Sequence, residues 1–100
     1  MIRHIVLARL RADPAEIAAI FADLDALRAH LPGMRAFHAG ANISTEKLAR
    51  GFTHAFSADF DDAAARDAYL VHPAHQKAGG RLVAACEGGA EGLVVVDVEI

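Results

Sequence analysis

The sequence predicts an α+β domain of element order β-α-β-β-α-β, and three patterns carry that expectation. The first ten residues alternate with period two, residues 14–31 follow helical spacing, and two more strand-like runs flank a second helical region. In the first strand, residues 2–11, Ile2, His4, Val6, Ala8 and Leu10 point one way, and Arg3, Ile5, Leu7, Arg9 and Arg11 the other. Asp13-Pro14-Ala15-Glu16 then supplies an N-cap, a proline at the first helical position and a capping-box acid. Ile17, Ile20, Phe21, Leu24, Leu27 and Leu31 form the apolar stripe of a helix that Pro32-Gly33 ends. Residues 34–43 give a weaker second strand, diluted by Gly40 and alanines, and Ser44 to Gly51 make a connection too long for a tight hairpin. The third strand is the clearest, with Phe52, His54, Phe56, Ala58 and Phe60 opposed to Thr53, Ala55, Ser57 and Asp59. Asp61 or Asp62 caps a second helix reaching about Val71. His72-Pro73 breaks it, and a further helical stretch runs from Ala74 toward Cys86, weakened by Gly79-Gly80. Gly88-Gly89 leads into the fourth strand, residues 91–100.

One hundred residues fill one compact domain, residues 1–100, with no room for a second core. The net charge of −3 and the absence of a basic stripe argue against nucleic-acid binding, because little attracts a phosphate backbone. The single Cys86 excludes an intrachain disulfide and any multi-cysteine metal site. No apolar run approaches the roughly 20 residues that span a bilayer, and the chain opens directly on strand rather than on a leader. No membrane contact and a cytoplasmic location are therefore expected.

Right-handed crossovers turn this element order into a four-stranded antiparallel sheet, strand order 4-1-3-2, with both helices on one face. Such a sheet should be wet on its second face. Yet Ile5, Leu7, Leu93 and Val95 are read as apolar on the side opposite Val6, Val94 and Val96. Water contact for that patch is unfavourable by about 25 cal/mol per Å². A symmetric homodimer, packed sheet to sheet, removes it.

Six histidines in so short a chain invite attention. His4 and His54 fall on the apolar, helix-covered face, each near a strand start. With the first and third strands taken as adjacent and parallel, the two should approach each other at one end of the sheet. Tyr69 and His72, three apart, share a helical stripe, and Pro73 turns the chain so that His75 can approach from the next segment. Imidazole and phenol around one hollow can relay protons to and from a carbonyl or enol near pH 7. His30 suits a helix C-terminus, His38 has no assigned role, and Cys86 reads as a small helix-face residue. Three imidazoles from His4, His54 and His75 would suffice for zinc with an open position, but no metal-binding spacing supports this. No metal and no cofactor are expected.

Three segments together carry a resemblance. Ile2-Arg3-His4-Ile5-Val6-Leu7, Gly40-Ala41-Asn42 with Gly51-Phe52-Thr53-His54, and Asp67-Ala68-Tyr69-Leu70-Val71-His72-Pro73-Ala74-His75 resemble the signature of the stress-responsive A/B-barrel (Dabb) family. The closing Val94-Val95-Val96-Asp97 also fits, so the likeness spans nearly the whole chain. The resemblance implies a ferredoxin-like fold assembled as a dimeric α+β barrel. The family includes stress-associated plant proteins and a polyketide cyclase. By that likeness, His4, His54, Tyr69 and His75 would line a pocket, with Tyr69 and His75 as its acid/base pair. Two positions depart from the cyclase pattern: Leu24 stands where the cyclase has a tyrosine, and Ala78-Gly79-Gly80 stands where it has an aromatic residue.

Three functions are compatible with this reading. The first is a metal-free dimer binding a small apolar or aromatic carbonyl compound, with His4 and His54 contacting the ligand. The second is a cyclase or lyase in which His75 abstracts a proton and Tyr69 stabilises the oxyanion. The third is a stress-response oligomer whose histidines only pack.

Overall fold

The computed structural model describes residues 1–100. Strand β1 spans Ile2–Ala8 and buries His4, Val6 and Ala8 on one face. It is shorter than the alternation suggested: beyond Ala8 only an isolated bridge from Leu10 to Cys86 continues the pairing. Helix α1, Pro14–Ala26, starts where the Asp13 carboxylate accepts the Glu16 backbone N–H at 2.9 Å. The Glu16 side chain pairs with Arg81 on another helix rather than closing a reciprocal box. A 3₁₀ turn, Leu27–Ala29, finishes α1. Gly33 then lies so close to a later helix that a Cβ there would stand 2.6 Å from the Ala65 Cβ.

Strands β2, Met34–Ala41, and β3, His54–Phe60, follow, separated by the long connection. Phe52 and Thr53, expected to open the third strand, belong to that connection. Asp62 caps helix α2, Ala63–Val71, by accepting the Ala65 N–H. Asp61 instead makes a bidentate pair with Arg35. Helix α3, Pro73–Ala85, begins after the extended His72, and a 3₁₀ turn at Gly89–Gly92 leads to β4, Leu93–Glu99. No helix is long and apolar enough to cross a membrane.

The sheet order is β2-β3-β1-β4, the expected one. All three pairings are antiparallel, β1 with β3 included, which corrects the parallel orientation expected for that pair. In this register Val6 faces Val95 across the ladder, while Ile5 faces Val96 and Leu7 faces Val94. Cross-strand partners share a face. The bare face therefore carries Ile5, Leu7, Val94, Val96 and Val98, not Leu93 and Val95 as the alternation alone suggested. Val94, Val96 and Val98 are exposed on it.

The helices bury the other face. Ile20, Leu24 and Leu27 from the first helical segment meet Phe56, Ala58 and Phe60 of β3, with Tyr69 of α2 and Leu82 of α3 completing the core. Each large side chain contributes about 1.5–3 kcal/mol by leaving water. The helices pack over β1, β2 and β3 more than over β4, so Val95 stays exposed although it shares the face of Val6.

Candidate functional site

The fold builds a cluster of rings at one end of the helix-covered face. His4 is placed there by strand alternation, 5% exposed and flanked by the rings of Phe56 and Phe60. Tyr69 descends from α2 and is completely buried. Its ring centroid lies 5.0 Å from that of Phe60 and 5.8 Å from that of His4. His75, from the first turn of α3, covers it at 4.2 Å between centroids. His4, Tyr69 and His75 thus come together as the sequence suggested.

His54 does not join them. The antiparallel register sets His4 opposite Ala58 and His54 opposite Ala8. Four residues of strand separate the two, roughly 13 Å, and Phe56 stands between them on the same face. His54 packs near Phe21, and its Nδ1 lies 2.8 Å from the Thr53 hydroxyl. Parallel strands would have aligned the two histidines; the actual strand direction puts them at opposite ends. The same separation rules out a three-imidazole metal site from His4, His54 and His75. No group of three or more His, Cys, Asp or Glu side chains is arranged to hold a metal ion.

The expected hollow between the rings is also filled. Tyr69 lines none of the five main cavities. The one touching His54, about 420 Å³, lies beneath the β2–β3 connection among Leu7, Leu48 and Phe52.

Protonation in the cluster follows from its contacts. The Asp97 carboxylate lies 2.7 Å from His4 Nδ1, so that nitrogen carries the proton and donates it. Asp97 also accepts from Arg66 at 3.1 Å. Burial alone would raise the Asp97 pKa, but the bonds from His4 and Arg66 outweigh it and hold the carboxyl below its ordinary range. Burial lowers the pKa of His75, even though its Nδ1–H donates to the Leu70 carbonyl at 3.2 Å. Near neutral pH, His75 is therefore a neutral imidazole whose Nε2 keeps a free lone pair. Burial pushes the Tyr69 phenol far above its usual value, so it stays protonated.

One atom stands out. The Tyr69 hydroxyl is buried and has no hydrogen-bond partner. Such a group costs about 1–3 kcal/mol. A protonated phenol without an acceptor, beside a neutral imidazole, is equipped to donate to a carbonyl oxygen or oxyanion.

The sequence reading missed Asp97 and Arg66. A carboxylate inside Val94-Val95-Val96-Asp97-Val98 was a visible signal, but its pairing with His4 depends on the β1–β4 register. The other histidines have local roles. His72 Nδ1 accepts the Ala74 N–H and so caps α3, and its ring stacks on that of His30 at 6.2 Å.

Comparisons with known proteins agree with this architecture. The profile of the Dabb family, the stress responsive A/B barrel domain, matches residues 2–100. The stress-response A/B barrel domain-containing protein HS1 of Arabidopsis thaliana is 33% identical over 76 residues, 74% of this chain and 70% of that protein. A dimeric ferredoxin-like protein of unknown function from Jannaschia sp. CCS1 superposes with a TM-score of 0.92 at 42% identity, covering 99% of this chain and 98% of that one. The hydroxynitrile lyase of Passiflora edulis is 28% identical, with a TM-score of 0.86 over 99% of this chain and 92% of its own. With its four-stranded ferredoxin-like sheet and a profile match along nearly its whole length, this chain belongs to the stress responsive A/B barrel domain family.

Proposed function

We propose that this protein is a homodimer that binds a small apolar or aromatic carbonyl compound, whose oxygen accepts a hydrogen bond from the Tyr69 hydroxyl. The observation that carries this is the buried hydroxyl without a partner. Buried polar groups in native proteins are nearly always hydrogen-bonded, so an unpartnered one calls for a partner, and a ligand oxygen supplies it. His4, fixed by Asp97, and His75 supply the polar remainder of the site. His54 lies too far away to share that ligand. Dimerisation is supported by the exposed Val94, Val96 and Val98 on the bare sheet face and by the dimeric description of the Jannaschia protein. Sheet-to-sheet packing of two copies would take those valines out of water. Nothing in the charge pattern favours a nucleic-acid partner, and a cytoplasmic location remains part of this reading.

The test uses a convenient feature of the composition. Tyr69 is the sole tyrosine and there is no tryptophan, so intrinsic fluorescence reports on this site alone. Titration with benzaldehyde and larger aromatic ketones should change that emission saturably. His54→Ala should leave the affinity unchanged. Absence of any saturable response across the series would leave the rings a purely structural role.

A second reading is favoured by the two protonation states. A neutral His75 base beside a protonated Tyr69 suits a lyase or cyclase: His75 takes a proton from the substrate while Tyr69 donates to the developing oxyanion. The similarity to the Passiflora edulis hydroxynitrile lyase makes cyanohydrins the first compounds to try. Benzaldehyde release from mandelonitrile, lost in both Tyr69→Phe and His75→Ala, would establish turnover. Rates equal to the uncatalysed background would exclude this chemistry for that substrate.

A further inference from the structure

Tyr69 is completely buried, so a ligand reaches it only if part of the fold moves aside. Its half-buried cover is His75, on the first turn of α3. Two joints bracket this segment. Upstream, His72 has extended backbone, with φ −66° and ψ 132°, and Pro73 opens α3 without a backbone donor. Downstream, Gly79 and Gly80 stand side by side in mid-helix. At neither does an atom from outside the local helix backbone lie within 4 Å of where a Cβ would sit, and neither has positive φ. Packing and backbone geometry therefore give no reason for glycine at either position. Glycine inside a helix nevertheless favours opening roughly four-fold per residue relative to alanine.

Beyond the glycines α3 is held firmly. Arg81 pairs with Glu16 and Asp23 of α1, and Leu82 and Ala85 are buried. Between the joints the hold on the core is Ala78, buried, and His75, half-buried, which lies over Tyr69 and bonds the Leu70 carbonyl, while Pro73, Ala74, Gln76 and Lys77 are exposed. A cavity of about 270 Å³ flanks the segment, lined by Leu27 and His30 on one side and Ala74 and Lys77 on the other. A segment with few buried contacts, set between the helix start at Pro73 and a glycine pair, opens at lower free energy than the rest of its helix.

We infer that residues 73–78 form a hinged flap, turning about Pro73 and Gly79-Gly80, that uncovers Tyr69. This deepens the ligand-binding reading and draws its purpose from it, but the flap is testable without a ligand. Hydrogen exchange on the full-length protein should show the amides of Lys77 to Gly80 exchanging roughly ten-fold or more faster than those of Leu82 to Ala85. Equal protection across both halves would overturn the flap. The double variant Gly79→Ala, Gly80→Ala should slow exchange in the first half roughly ten-fold more than in the second. Acrylamide quenching of Tyr69 fluorescence should fall in parallel. Slower exchange with unchanged quenching would mean that Tyr69 is reached by another route, and would also overturn the proposal. If exchange and quenching behave as stated but no carbonyl compound binds, the flap stands and the ligand reading fails.

Discussion

Deleting one oxygen from Tyr69 should make this protein more stable. In Tyr69→Phe the ring keeps its neighbours, Phe60 at 5.0 Å, His4 at 5.8 Å and His75 at 4.2 Å between centroids. The change removes a fully buried hydroxyl that has no acceptor. Leaving such a donor dry costs about 1–3 kcal/mol, and the oxygen returns only slight dispersion. The small void left behind takes back part of that gain. The balance is a stabilisation of about 1 kcal/mol, or roughly 4–8 °C in Tm for a domain of this size. Thermal and urea unfolding followed by far-UV circular dichroism, at one fixed protein concentration, would measure it. Fixing the concentration matters because self-association adds to apparent stability by mass action. A variant that is less stable by about 0.5 kcal/mol or more would refute the reasoning. The hydroxyl would then be hydrogen-bonded in solution, and the argument that it awaits a ligand would lose its footing.

Four further outcomes follow from the same geometry. Spectrophotometric titration of the sole tyrosine should show no ionisation in the folded protein at its ordinary pKa of about 10, with normal titration in denaturant. Above pH 10 the unfolded chain then binds fewer protons than the folded one, so stability should fall with rising pH, by up to about 1.4 kcal/mol per unit; flat stability there would contradict the burial of the phenol. At the acid end, Asp59 has its pKa lowered chiefly by the bonds from Arg3, with burial opposing. Its stabilisation is therefore present above the unfolded carboxylate pKa of about 4 and should be lost as pH falls below that value, a loss that Asp59→Asn should diminish in acid unfolding curves. Asp97→Ala leaves His4 Nδ1 buried without its acceptor and should cost about 1–3 kcal/mol in urea unfolding, whereas an unchanged midpoint would make that bond incidental. For the dimer, Val96→Asp puts a carboxylate midway along β4 among the exposed valines of the bare face and should yield monomers by light scattering; persistence of the dimer would place the interface elsewhere.

Much of the fold was legible in the residues because it rests on local rules. Asp13-Pro14 and the pair Asp61-Asp62 announced helix starts that the structure keeps, Asp62 being the cap of the second, and alternation through Phe56, Ala58 and Phe60 marked the inner face of β3. Where long-range pairing had to decide, reading by period failed in definite ways. Period two separates the two faces of one strand but does not say which face aligns with which face of its neighbour. Alternation alone therefore puts the valines of β4 on the wrong sides, whereas the separation of His4 from His54, which do share a face, comes from strand direction: antiparallel pairing sets them at opposite ends. The ends of α1 and β1 were overrun because apolar spacing continued through Leu27 and Leu10 after regular hydrogen bonding had stopped.

The sequence by itself determined the element order, the two-layer α+β architecture, the family, and the meeting of Tyr69 with His75. The last follows from six residues of chain turned back by a proline. Only the tertiary structure decided the register that sets His4 and His54 at opposite ends of the sheet, that Asp97 partners His4, and that the ring cluster is closed rather than hollow. These depend on strand register and core packing, which join residues as far apart as His4 and Asp97, and no local pattern encodes such a pairing.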